Sequence, residues 1–151
     1  MTSIAELMTH DHRSCDHDFA RAETLAHKKD WNAAALALEA FTTGLEAHFQ
    51  AEEQELFPRF EAATGMTQGP TQVMRDEHAD MRATLAQLRA ALDSRDLDEF
   101  AGEAETLLIM MQQHNMKEEN ILYPMCDLRL GGERDALVET LANRLAPEHA
   151  A

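Results

Sequence analysis

Two cysteines in 151 residues, Cys15 and Cys126, make no disulfide framework and suit a reducing compartment, which points to the cytoplasm. Only four prolines and six glycines interrupt a chain that is 44% hydrophobic and rich in Ala and Leu, as soluble helical proteins are. Basic residues are scarce: 13 stand against 28 acidic ones, a net charge of −15 with histidine neutral. A phosphate backbone demands a basic face, so the balance argues against nucleic acid as a partner and favours solubility and the local enrichment of cations. No apolar run approaches the roughly 20 residues of a membrane span. The opening MTSIAEL has neither a basic region nor an apolar core, so nothing suggests export. With no linker or low-complexity segment, residues 1–151 are expected to form one domain.

What is present is a pattern written twice, 66 residues apart. His12 precedes His48 by 36 residues, and His78 precedes His114 by the same interval. Each second histidine opens the string His-x-x-x-Glu-Glu-x-x-x-[Phe/Tyr]-Pro, once from His48 to Pro58 and once from His114 to Pro124. Met8 and Met74, Asp30 and Asp96, and Gly65 and Gly131 keep the same offset. Core packing alone would not select imidazole and carboxylate at all six of His12, His48, Glu52, His78, His114 and Glu118. Four histidines and two glutamates in two-fold repeat are what a dinuclear metal centre inside a helix bundle requires.

Periodicity and caps place these residues on helices. Ser3-x-x-Glu6 is a capping box that starts a first helix running to about Lys28. Met8, His12, Cys15, Phe19 and Ala26 fall on one of its faces. Asp30 caps a second helix that carries Trp31, Leu38, Phe41, Leu45, His48 and Glu52 inward towards Phe57, and Pro58 is expected to kink or end it. After a loop from Thr64 to Gly69, Pro70 suits the first turn of a third helix with Met74, His78, Met81, Leu85 and Leu92 buried. Asp96 caps a fourth helix with Leu107, Met111, His114, Glu118 and Ile121 inward, ahead of Pro124. Gly131-Gly132 breaks the chain before a short fifth helix from Glu133 to Leu145. Short connections force neighbours antiparallel. The predicted fold is all-α, an up-down-up-down four-helix bundle over about 3–128 with a C-terminal helix over about 133–145.

Residues four apart share a helix face, so His48 with Glu52, and His114 with Glu118, each present an imidazole and a carboxylate to the interior. Imidazole nitrogen and carboxylate oxygen suit iron, manganese or zinc. Two glutamates can bridge two such ions while the four histidines fill terminal positions. A bridging hydroxide or oxide would lower the charge further, and open positions remain for a small molecule.

The arrangement H…HxxxE…H…HxxxE on a four-helix bundle resembles the hemerythrin-like, HHE cation-binding domains over about residues 5 to 128. The resemblance implies a non-haem di-iron centre, with zinc or manganese as substitutes, held by the six residues named above. Oxygen-carrying hemerythrins use a second histidine on the third helix and an aspartate on the fourth. Here His78 stands alone between Met74 and Arg82, and Glu118 follows its histidine by four. The site is therefore more similar to those of the iron–sulfur-cluster repair proteins and the F-box iron sensor. Yet the chain has neither the repair proteins' Cys-containing N-terminal domain nor an F-box. Ferritin-like di-iron proteins differ again, carrying Glu-x-x-His.

The implied function is a di-iron protein that reacts with or senses O2, NO or peroxide and is not a good reversible oxygen carrier. The alternatives are an iron-binding or iron-donating module without catalysis and, weakest, a dizinc or dimanganese hydrolase. For the remaining candidates the expectations are plainer. Glu53 and Glu119 point about 100° away from Glu52 and Glu118 and are read as solvated. His10, His17, His27 and His149 are read as surface histidines, Cys15 as a buried thiol, and Met8, Met74, Met81, Met110 and Met111 as core filling. Glu55 lies two turns from His48 on the same face and could support the site. Asp16 and Glu23 match Arg82 and Arg89 at the 66-residue offset, which suggests ion pairs across the bundle.

Overall fold

Ser3 starts the first helix as its spacing predicts. Its hydroxyl accepts the Glu6 amide at 3.0 Å, and Glu6 Oε1 accepts the Ser3 amide at 3.1 Å. The next two free amides, of Ile4 and Ala5, donate to the Asp127 carboxylate at 2.8 and 3.1 Å, so the helix end is satisfied from across the molecule. The computed structural model describes residues 2–145; His149 lies outside them. The helices are α1 (Ile4–His27), α2 (Trp31–Ala51), α3 (Phe57–Thr64), α4 (Pro70–Asp93), α5 (Leu97–Lys117), α6 (Tyr123–Leu130) and α7 (Arg134–Leu145).

Asp30 and Asp96 cap α2 and α5, accepting the Ala33 amide at 3.3 Å and the Glu99 amide at 3.1 Å. Immediately before them, Lys29 (φ 60°) and Arg95 (φ 55°) take the left-handed conformation. That reversal lets α1 turn into α2, and α4 into α5, within a few residues, which sets each pair antiparallel.

The helix does not end at Pro58. A turn of π-helix, Glu52–Leu56, joins α2 to α3, and another, Glu118–Leu122, joins α5 to α6. Pro58 has no amide to give the Gln54 carbonyl, and a turn widened by one residue absorbs that loss. The Phe57 amide instead reaches the Glu52 carbonyl, and the Glu53 carbonyl takes Arg75 Nη1 at 3.3 Å. Widening also shifts the helix face by one residue. Leu56 with Phe57, and Leu122 with Tyr123, are therefore buried as adjacent pairs, whereas Ile121, assigned inward by its periodicity, is 56% exposed.

Four rods result: α1, α2 with α3, α4, and α5 with α6. Packing runs chiefly along α1–α2 and α4–α5, with α2 also against α4, α1 against α5 and α6, and α3 against α6. The short helix α7 begins at Arg134, one residue later than expected, after a 3₁₀ turn at Gly131–Glu133. It packs on α1, α2 and the first π turn, burying Leu137 and Leu141. The interior holds two apolar clusters. One contains Phe19, Phe41, Leu88, Phe100 and Leu107; the other contains Ile4, Met8, Phe60, Met74, Cys126 and Leu130. His12, His48, Glu52, His78, His114 and Glu118 form a buried polar layer between them. Met110 is only partly buried, unlike Met8, Met74, Met81 and Met111. Among the described residues no helix is long and apolar enough to cross a membrane.

Candidate metal centre

All six candidate side chains meet in this layer, each less than 5% exposed. The i, i+4 spacing puts His48 beside Glu52 and His114 beside Glu118, with Nε2–carboxylate distances of 3.6 and 3.3 Å. His12 and His78 arrive from α1 and α4. His12 Nε2 lies 3.0 Å from Glu118 Oε1, and His78 Nε2 lies 3.0 Å from Glu52 Oε1. Two groups of donor atoms lie within 4.8 Å of one another: Glu52, His78, His114 and Glu118 in one, His12, His48 and Glu118 in the other. Glu118 belongs to both.

The imidazoles point Nε2 inward because a carboxylate holds Nδ1 from the opposite side. His12 Nδ1 meets Glu119 at 2.7 Å, His48 Nδ1 meets Asp11 at 2.7 Å, His78 Nδ1 meets Glu53 at 2.6 Å, and His114 Nδ1 meets Glu77 at 2.8 Å. A carboxylate on Nδ1 keeps that nitrogen protonated and leaves the Nε2 lone pair free, the usual support of a metal-bound histidine. Glu53 and Glu119 are thus not solvated charges. A direction 100° from Glu52 is outward for the helix but inward for the crevice with its neighbour, where the next helix's histidine stands. Asp11, Glu77, Glu53 and Glu119 keep the 66-residue repeat among themselves, and that recurrence was the available signal.

Sequence reasoning also missed Tyr123. Its hydroxyl lies 2.7 Å from Glu52 Oε2, 2.8 Å from Glu118 Oε1, 3.1 Å from His12 Nε2 and 3.2 Å from His48 Nε2. The clue was the aromatic position before each proline, where one repeated string has Tyr and the other Phe. Phe57, in the matching place, lies 5.8 Å from the His78 ring, and Phe49 stacks on that ring at 3.9 Å.

Several other assignments change. Glu55 meets Arg144 of α7 at 3.3 Å and serves the attachment of that helix. Arg82 binds Glu46 and Glu53 at 2.9 to 3.0 Å, while Arg89 binds Glu39 and Asp93, both at 3.1 Å. Neither arginine meets Asp16 or Glu23, because α4 packs on α2 and its arginines find acids there or on their own helix. His10, His17 and His27 are exposed, and Cys15 is buried in the apolar cluster beyond the layer.

Electrostatics and unmet hydrogen bonds say what the layer would accept. Burial disfavours the charge on His114, but Glu118, Glu52 and Glu77 outweigh it and raise its pKa to about 9. Burial likewise opposes ionisation of Glu52, yet His48, Glu118 and His78 hold it well below the usual carboxylate range. His48 and His78 are likewise raised by the carboxylates around them against the effect of burial, so in the metal-free protein these imidazoles offset the buried acids. Glu52 Oε1, His78 Nε2, His114 Nε2 and Glu118 Oε2 are buried without a hydrogen-bond partner. Glu52 Oε1 and His78 Nε2 are 3.0 Å apart but misaligned for a bond, since both aim at common space. Orphan polar atoms cost about 1–3 kcal/mol each, and a cation in that space would satisfy them together. The donor set fits divalent metal.

Comparison with known proteins agrees. The family model described as Hemerythrin HHE cation binding domain matches residues 3–126. A curated protein named DNA nickase, from Nostoc sp., is 32% identical over 90 residues, covering 60% of this chain and 24% of that protein. The chain thus spans about a quarter of that relative's length. No solved structure matches.

Proposed function

The chain belongs to the hemerythrin HHE cation-binding family, and we propose that it is a non-haem di-iron protein that reacts with or senses O2, NO or peroxide. One observation carries this reading: four Nε2 atoms, each fixed by a carboxylate on Nδ1, converge with Glu52 and Glu118 in a layer that hydrophobic clusters close on both sides. His78 and His114 with both glutamates would hold one ion, and His12 and His48 with Glu118 the other, Glu118 being common to both groups of donors. Iron there would supply one-electron chemistry towards a diatomic ligand or peroxide.

The chain's own residues do the rest. Asp11, Glu53, Glu77 and Glu119 orient the imidazoles and raise their basicity. The phenyl faces of Phe49 and Phe57 keep water from His78. Tyr123 holds a proton 2.7 Å from Glu52 Oε2, where it can be given to or shared with an acceptor bound between the glutamates. With one histidine fewer than the oxygen carriers, the site should favour the ferric state and not return bound O2. Nickase activity is no part of the proposal, since a net charge of −15 repels a phosphate backbone. A cytoplasmic location without membrane partners completes the reading.

Anaerobic loading with Fe(II), followed by metal analysis and stopped-flow absorption with O2 and NO, tests it. Two irons per chain, lasting oxidation by O2 and binding of NO by the reduced form are expected. Glu52→Ala and Glu118→Ala should each hold well below two irons. Unchanged stoichiometry in both variants, or absorption that reverses when O2 is removed, would overturn it.

A further inference from the structure

The 66-residue repeat that makes the two halves of the site alike breaks at several positions around it, and three of the breaks separate the same two histidine pairs by charge or polarity. Arg82, one turn beyond His78, corresponds to Asp16, one turn beyond His12. Lys117 corresponds to the buried Ala51, and Tyr123 to Phe57.

The breaks change what stands behind each imidazole. At His78, Glu53 divides its charge between Nδ1 and the Arg82 guanidinium, which it meets at 2.9 and 3.0 Å. At His114, Glu77 is shared in the same way with Lys117. At His12 and His48, Glu119 and Asp11 have no Lys or Arg partner among the described residues and give their charge to Nδ1 alone. Asp16 then adds a negative charge on the His12 side, where the other half has a positive one. Tyr123 adds a phenol oxygen within 3.2 Å of both Nε2 atoms of that pair, against the hydrocarbon ring of Phe57. Glu52 and Glu118 do not offset this, because Glu52 Oε2 also stands 3.6 Å from His48 Nε2 and Glu118 reaches His12.

We propose that the two metal positions are electronically inequivalent, the iron at His12 and His48 becoming ferric first, and that Arg82, Lys117 and Asp16 set the difference without touching either metal. A carboxylate that an arginine or lysine partly neutralises pushes less electron density through its imidazole, so the iron at His78 and His114 holds its electron longer. The three residues are positioning and tuning groups, and the inference rests on the di-iron reading above.

The test is a redox titration of the iron-loaded protein under argon with a one-electron oxidant such as ferricyanide. Iron per chain is measured first, and the mixed-valent fraction at half-oxidation is read by electron paramagnetic resonance. Well-separated potentials give a mostly mixed-valent sample. Arg82→Gln should lower the potential of one iron and Asp16→Asn should raise that of the other. Each therefore narrows the gap and reduces the mixed-valent yield, while Arg82→Lys retains it. Arg89→Gln and Glu23→Gln remove charges from a repeat-related pair farther from the site and should leave the yield unchanged. Iron content near two per chain with an identical yield in Arg82→Gln and Asp16→Asn would overturn the inequivalence while leaving the di-iron reading intact. Iron content far below two in the wild-type protein would overturn both.

Discussion

Replacing Tyr123 by Phe removes one oxygen and nothing else. The site already shows that a phenyl ring fits such a place, since Phe57 occupies the matching position and is fully buried. In the metal-free protein that hydroxyl is the donor between two buried carboxylates, 2.7 Å from Glu52 and 2.8 Å from Glu118. Hydrogen bonds to charged groups contribute about 1.5–3 kcal/mol, and here the acceptors left behind are fully buried. The chelator-treated variant should therefore be about 2 kcal/mol less stable than the wild type, roughly a 30-fold rise in the unfolding constant. With metal bound the glutamates have another partner, and the loss should shrink to below about 1 kcal/mol. Urea unfolding of both proteins, after chelation and again at matched free Fe(II) under argon, measures the two differences directly. Matching the free metal matters because binding itself stabilises the folded state. Equal losses in the two conditions, or no loss after chelation, would refute the idea that the phenol stands in for the cation.

Lys29 and Arg95 sit at φ 60° and 55°, a conformation that costs a side chain about 1–2 kcal/mol but not glycine. Lys29→Gly and Arg95→Gly should each stabilise the protein by about 1 kcal/mol in urea unfolding, and a loss of stability would show that the side chains themselves hold the turns. Burial pushes the thiols of Cys15 and Cys126 well above their usual range, with nearby carboxylates adding to it. Both should ignore a disulfide reagent at pH 8 in the native protein and react only as it unfolds; a thiol titrated at once would place it at the surface.

Much of this protein was legible in the chain because its determinants are local or repeated. Ser3 with Glu6, Asp30 and Asp96 act within one turn of their own helix, so helix starts could be read from neighbours in sequence. His48 with Glu52, and His114 with Glu118, share a face by helix geometry alone. The repeat told that His12 and His78 belong with them, and short connections made the rods antiparallel. Other features depend on which helix lies next to which. The carboxylate that meets each Nδ1 comes from a different helix, 107 residues away for Glu119 and His12, and although these acids recur with the repeat, recurrence does not say which histidine each one meets. Arg82 chose Glu46 and Glu53 over Asp16 because α4 packs on α2 there. The π turns were hidden because Pro58 and Pro124 could equally end a helix. The helices instead continue through π turns, and the extra residue turned Tyr123 inward while sending Ile121 out. Sequence by itself thus determined the bundle and the six inward donors, since both follow from the period of one helix. Only the tertiary structure decided what clamps those donors and what makes the two halves differ, because those contacts are set by distances between helices.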